Sequence, residues 1–302
     1  MCDLKTEPSL NSSSYWNETP VYFAWKQALH NWIDPQSPQY LSPEKRVAVF
    51  DLDGTMWCEK PYFAEIFFVI DKLKVALQED LDETVRSQVS KAVALAEKQF
   101  AGSGMVLIDA FNLAYPDYSN TQLEMMSGEW LDRAKHRDFS CSYLDLAYLP
   151  MKEWIDELHS QQFTCYVCTG SSEPFVRPWI EAVFGIHADK VFGSELYGKS
   201  GGQPIALNIN EEKVCSVESR CEIAPVLVVG NSDGDFELLE WTLKKNPSAQ
   251  CYVVDHDDPE REYQYSLSHS IEHWLEQDNT QLTRISMKND WYRVFTDNHK
   301  KV

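Results

Sequence analysis

The stretch Val47-Ala48-Val49-Phe50-Asp51-Leu52-Asp53-Gly54-Thr55 constrains the chain more than any other. Its four apolar residues are rich in β-branched types and predict a strand buried on both faces. Two acids, a glycine and a threonine follow at once. Acids cannot stay in an apolar layer without partners. They are expected at the carboxyl end of a sheet, where open α/β folds place their sites. Asp51 and Asp53 are two apart, so on extended chain they point the same way. Like carboxylates side by side raise each other's pKa unless a cation joins them. The economical reading is a Mg²⁺ site that also does chemistry. The plain alternative is a strand end that turns into solvent through Asp-Gly.

Composition narrows the function classes. A chain of 302 residues can bury a substantial core, as one large domain or two. Lys+Arg 27 against Asp+Glu 47 gives a net charge of −20, which argues against a nucleic-acid or anionic-membrane surface. No apolar run reaches transmembrane length. The eight cysteines are scattered, so reduced thiols are expected. Cys165 and Cys168 form a CxxC inside a predicted strand, where positions three apart face opposite ways, which argues against redox or zinc use. Met1 to Ser14 is polar and lacks the apolar core of a signal peptide. A cytoplasmic location is expected unless a leader has been removed. The sequence sets no oligomeric state.

Residues 1–18, rich in Ser and Asn, read as a loose N-terminus. Thr19-Pro20 opens a helix with Tyr22, Trp25, Leu29 and Trp32 on one face. Trp57 to Tyr62 reads as a loop or flap over the acids. A helix over 63–77 and a clearer one capped by Asp82 follow, broken by Gly102-Ser103-Gly104. Ser119-Asn120-Thr121-Gln122 has a capping-box pattern. Residues 56–145 are thus predicted as an inserted, mostly α-helical domain. Strands and helices then alternate, with strands at Phe163–Cys168, Val191-Phe192, Val226–Val229 and Cys251–Val254. That alternation predicts an α/β core, a doubly wound parallel sheet built from 19–55 and 146–302.

Three predicted strands end in polar residues: Asp51/Asp53, Thr169-Gly170, and Asn231-Ser232-Asp233-Gly234-Asp235. Parallel strands present their carboxyl ends on one edge, so these groups can converge. Lys213 lies just before the last strand. Carboxylates, a hydroxyl beside a glycine, a lysine and an acidic loop are the parts of a phosphoryl-transfer site.

On these motifs the sequence resembles the haloacid-dehalogenase superfamily of phosphohydrolases, in the branch of phosphoserine and phosphorylcholine phosphatases. VAVFDLDGT matches the first motif, YVCTG the second, the lysine of NEEKV the third and VVGNSDGD the fourth. HDDPEREY and ISMKNDW also resemble segments of that branch. The resemblance covers residues 46–256 in order and implies a Rossmann-like core with a helical cap.

It also implies roles. Asp51 would be the nucleophile, forming an aspartyl-phosphate. Asp53 would protonate the leaving alcohol, then activate water, with its carbonyl on the metal. Thr169 and the Gly170 amide would grip the phosphoryl oxygens, and Lys213 would offset charge. Lys199 competes with Lys213, but its Gly-Lys-Ser-Gly-Gly setting reads as an exposed turn. The fourth motif departs from the phosphoserine phosphatases, having Gly230-Asn231 where they have Gly-Asp. Asn231 is a neutral oxygen ligand that Mg²⁺ accepts, and Asp235 or Asp233 is expected to supply charge directly or through water. Arg177 is a candidate phosphate or substrate ligand, with a surface ion pair as the alternative.

The expected reaction is Mg²⁺-dependent hydrolysis of a small phosphorylated metabolite. Transfer to an alcohol acceptor, or a non-catalytic interaction module with weak metal binding, are the rivals. Trp57 and Glu59 together would suit a small ammonium group, so phosphocholine or phosphoserine is one expected substrate. A permissive pocket for many phosphomonoesters is the other expectation.

Overall fold

In the computed structural model, which describes residues 14–100, 102–198, 205–277 and 281–296, the apolar run before Asp51 is strand β1, Val47–Phe50. Helix α1 (Pro20–Ile33) precedes it. Helices α2 (Ala64–Ala76), α3 (Glu83–Lys98), α4 (Gly104–Ala114) and α5 (Asn120–Leu131) follow. Then come α6 (Leu149–Ser160), β2 (Thr164–Ser172), α7 (Glu173–Phe184), β3 (Val191–Ser194), α8 (Glu211–Arg220) and β4 (Leu227–Gly230). The chain continues through α9 (Phe236–Lys245), β5 (Gln250–Asp255), α10 (His269–Leu275), β6 (Leu282–Ser286) and α11 (Met287–Asp290).

The sheet order is β3-β2-β1-β4-β5-β6, with every pairing parallel. The chain winds outward from β1 through β2 to β3, then crosses back to β4 on the other side. Strands β1 and β4 therefore flank the switch point, where the crevice at the carboxyl edge opens. Phe50 pairs with both Val167 and Val229, and the Asp51 amide donates to the Val229 carbonyl at 2.9 Å. The ladder thus carries the first acid to the sheet's edge.

Alternation along the strands sorts the core into two layers. Ala48, Phe50, Cys165, Val229 and Tyr252 face the layer that holds Trp25, Trp154 and Trp179. Val47, Val49, Cys168, Val228 and Val253 face Val217, Leu238 and Ile271 from α8, α9 and α10. Cys165 and Cys168 thus lie on opposite faces, as strand geometry requires. Among the described residues no helix is long and apolar enough to cross a membrane.

Of the helices between β1 and β2, α3 and α5 begin at side-chain caps. Asp82 accepts from the Thr84 and Val85 amides, and Ser119 with Gln122 closes a capping box. Gly102-Ser103-Gly104 does end α3's segment, but it also opens α4, which the sequence reading did not expect. Leu107, Ile108, Ala110 and Phe111 bury the new helix. Glu65, in the first turn of α2, reaches the core. It accepts from the Ser172 amide at 3.0 Å, from the Ser172 hydroxyl, and from Tyr197 Oη at 2.8 Å.

Two further expectations are corrected. Residues 1–13 lie outside the described residues, but 14–18 are not loose. Trp16 is 2% exposed, donates its indole N–H to the Pro150 carbonyl at 3.0 Å, and sits among Trp25, Trp154 and Trp291. Strand β2 also runs past Thr169-Gly170 to Ser172, with a shift of register against β3 after Cys168.

Two outcomes follow from this packing. Trp16→Ala empties a fully enclosed site and is expected to cost about 3–5 kcal/mol, read as a lower urea midpoint. Burial pushes the Glu65 carboxyl up from 4.5 to about 7, against its hydrogen bonds to Ser172 and Tyr197. The folded chain then holds a proton that the unfolded chain has lost. Stability is fullest below about pH 4.5 and falls as pH rises toward 7, by about 3 kcal/mol in all. Glu65→Gln should flatten that part of the stability–pH curve, and an unchanged slope would refute the assignment.

Candidate active site

Lys213, in the first turn of α8, is 3% exposed and lies between two carboxylates. Its Nζ donates to Asp51 Oδ1 at 2.6 Å and to Asp235 Oδ1 at 2.7 Å. Burial alone would lower the lysine pKa, but Asp235 and Asp51 outweigh it and hold the ammonium charged well above the usual range. Burial and then the Asp235 charge push Asp51 up to about 8, against the pull of Lys213. The other oxygen of Asp235, Oδ2, accepts from the Asn231 amide at 3.0 Å and the Ser232 amide at 3.1 Å. Asp235 therefore shapes the turn after β4 as well as pairing the lysine.

Asp53 has a different setting. Oδ1 accepts from the Trp57 indole at 2.9 Å. Oδ2 accepts from Ser171 Oγ at 2.7 Å and from Thr169 Oγ1 at 3.4 Å. Burial raises its pKa, and these hydrogen bonds only partly oppose the shift. The two acids of one strand end are thus held apart in character. One faces a cation, and the other faces neutral donors.

A third cluster consists of oxygens. Asn231 Oδ1 lies 3.3 Å from both Asp51 Oδ2 and the Asp53 carbonyl oxygen. With the amide turned over, its nitrogen donates to both of those atoms. With the oxygen inward, three acceptors face one another, with Thr55 Oγ1 bonded to Asp51 Oδ2 at 3.2 Å. One charged and two neutral oxygens around a point suit a hard divalent cation. Gly54 permits this approach. Its φ is +79°, and a Cβ there would lie 2.1 Å from Asn231 Nδ2.

Several expected site residues lie elsewhere. Asp235 has both oxygens engaged by Lys213 and the turn, which leaves it off the oxygen cluster. Asp233 is exposed and pairs with Ser268 at the rim. Trp57 is not on a flap. It is fully buried, stacks on Trp179 at 4.5 Å, and serves Asp53 from beneath. Its chain segment is threaded into the core, with Cys58 N donating to the Leu146 carbonyl and Tyr148 N to that of Met56. Glu59 lines the cavity but is paired with Lys60 at 2.9 Å. The aromatic-plus-anion cage for an ammonium group is therefore not formed. Arg177 pairs with Glu173 and, at 3.9 Å, with Glu124, away from the cavity wall. Thr169 is fully buried, and its hydroxyl also accepts from the Ser171 amide at 3.0 Å. Gly170 and Ser171, not Thr169, line the cavity. Lys199 lies outside the described residues.

Other residues went unrecognised in the sequence. Ser171 is two past Thr169 on a strand, so it shares its face. That spacing could have found it. His256 and Glu262 belong to the HDDPEREY segment. His256 bridges the Gly54 carbonyl at 2.7 Å and Glu262 Oε2 at 3.0 Å. Glu262 Oε1 accepts from Cys58 Sγ at 3.0 Å and Tyr148 Oη at 3.4 Å. This buried chain props the Asp53-Gly54 turn from behind.

The acids, Lys213 and Asn231 open together into a cavity of about 620 Å³. The inserted helices α2 and α4 wall one side, through residues such as Ile66 and Ile108.

Residues 48–240, more than half of the chain, match the model of the haloacid dehalogenase-like hydrolase family. Among curated proteins no match is found. Among solved structures the chain is similar to a conserved, functionally unknown protein from Anaerococcus prevotii DSM 20548. The two share 13% identity at a TM-score of 0.56, over 90% of this chain and 93% of that one. A phosphoserine phosphohydrolase-like protein from Francisella tularensis subsp. tularensis SCHU S4 matches at 13% identity and TM-score 0.41, over 78% and 100% of the two chains. The phospho-aspartyl intermediate analogue of phosphoserine phosphatase matches at 16% and 0.35, over 70% and 86%. The family match spans the strand end that carries Asp51 and Asp53. The chain belongs to the haloacid dehalogenase-like hydrolases.

Proposed function

We propose that the protein hydrolyses a small phosphomonoester through an aspartyl-phosphate on Asp51, with Mg²⁺ held by Asp51, the Asp53 carbonyl and Asn231. The observation that carries this reading is the split between the two acids. Asp51 is paired to a buried ammonium, while Asp53 is hydrogen-bonded to an indole and a hydroxyl. One acid set against a cation and one set among neutral donors is the division that nucleophilic and acid–base catalysis requires.

In the first step an Asp51 oxygen attacks phosphorus. The bond from phosphorus to the alcohol oxygen breaks, and the Asp53 proton passes to that oxygen. In the second step the Asp53 carboxylate takes a proton from water, which attacks phosphorus and releases phosphate from Asp51. Both acids return to their starting states. Lys213 offsets the charge on Asp51 throughout. When bound, Mg²⁺ would supply positive charge to the phosphoryl oxygens and favour the ionised form of Asp51. The cap role of α2 to α5 belongs to the same proposal: they exclude water around the alcohol.

Asp51→Asn should lower hydrolysis of p-nitrophenyl phosphate at least about 1,000-fold, or about 4 kcal/mol in the barrier, with the circular-dichroism spectrum of the folded chain kept. Activity within about twofold of the original would sink the nucleophile assignment. Mg²⁺ should support turnover and EDTA should end it. Asn231→Asp adds a charge to the oxygen cluster and should enlarge the rise in Tm that Mg²⁺ produces, since a ligand bound only by the folded state stabilises it. A smaller rise would place Asn231 away from the cation.

A further inference from the structure

Taking the phosphomonoesterase reading as given, we infer that the alcohol part of the substrate carries an extended apolar body. Four side chains at the cavity wall are large, apolar and well exposed: Phe63 39%, Met105 41%, Leu207 37% and Ile209 40%. Large apolar groups scattered singly on a surface need no explanation, but a cluster around one cavity marks a binding surface. Ile66 and Ile108 continue the same wall inward.

The apolar surface begins next to the phosphate end. A Cβ at Gly170 would lie 3.2 Å from Ile209 Cγ2, so that methyl sits directly over the glycine. The alcohol therefore meets hydrocarbon within its first atoms. Charged groups on the same walls are already matched. Glu59 pairs with Lys60, and Glu65 has both oxygens bonded to Ser172 and Tyr197. Neither acid is left for an ammonium group. Lys213 is committed to Asp51 and Asp235, and Lys60 to Glu59, so a second phosphate finds no spare cation among the described lining residues. A sugar's hydroxyls would lose water against Phe63, Met105, Leu207 and Ile209 without gaining partners there. At about 620 Å³ the cavity is also of a size that encloses ligands much larger than a three-carbon alcohol.

The test is a homologous series: butyl, hexyl and octyl phosphate, with 1-naphthyl phosphate as the aromatic arm and phosphoserine, phosphocholine and glucose 6-phosphate as the polar arm. Phosphate release should give a kcat/KM that rises about fourfold per added methylene and lies lowest for the polar arm. Preference for naphthyl over octyl would assign an aromatic body, and the reverse an aliphatic chain. Met105→Ser with Leu207→Ser, both at exposed positions, should flatten the dependence on chain length. Equal kcat/KM across the series, or a preference for the polar arm, would overturn the inference. If no phosphomonoester is hydrolysed, the catalytic reading fails by itself. Calorimetry with butyl- and octylphosphonate then decides: tighter binding of the longer chain upholds the apolar site, and length-independent binding or none removes it.

Discussion

Asp51 at the end of β1 and Asp235 at the start of α9 are both largely removed from water, and the Lys213 ammonium lies between them at 2.6 and 2.7 Å. A buried carboxylate without a partner costs several kcal/mol, and two close together cost more. The lysine makes the pair tolerable, and the three residues then constrain one another. Asp235 spends its second oxygen on the amides of Asn231 and Ser232. The turn that carries Asn231 is therefore shaped by the same carboxylate that holds the lysine. Through this one contact β1, α8 and the turn after β4 are joined at the switch point of the sheet. Removing the lysine would leave two uncompensated acids, so it serves the fold as well as the reaction.

That balance gives Asn231 a physical reason. Two acids, Asp51 and Asp235, already face one ammonium there. An aspartate at 231 would add a third acid. The amide avoids that and can satisfy its neighbours either way round. Its nitrogen can donate to Asp51 Oδ2 and the Asp53 carbonyl, or its oxygen can join them around a cation. A neutral oxygen there would pull less on a metal than a charged one would.

The sheet and the acids were legible in the sequence because a strand buried on both faces must be apolar throughout, and because acids can follow it only at an edge. Caps were legible for a similar reason, since Asp82 and Ser119 act on amides two or three residues away. What local pattern could not show was long-range pairing. Trp57 looked available because it follows the acids, but its indole is claimed by Asp53 and its ring by Trp179. Arg177 looked like a phosphate ligand until Glu173, one helical turn before it, claimed it. Strand β6 has mixed burial as an edge strand, so its apolar signal is thin. Trp16 sits in a polar stretch, and only its distant partners Pro150 and Trp291 explain its burial.

Chemistry and selectivity are divided between the two parts of the chain by the same logic. The strand ends must carry the charged groups, because only there do parallel strands bring residues distant in sequence to one edge. That edge is polar, and its charged groups are paired with one another. It has no group left with which to tell one alcohol from another. Discrimination has to come from what stands over the edge, namely α2, α4 and the segment before α8. These elements contribute hydrocarbon and self-paired charges, and Glu65 ties α2 to the end of β2 through Ser172. A wall held in place by a buried carboxylate presents a constant surface to the alcohol. Under the proposed reaction, selectivity would be set by the shape and polarity of that surface and not by the acids beneath it.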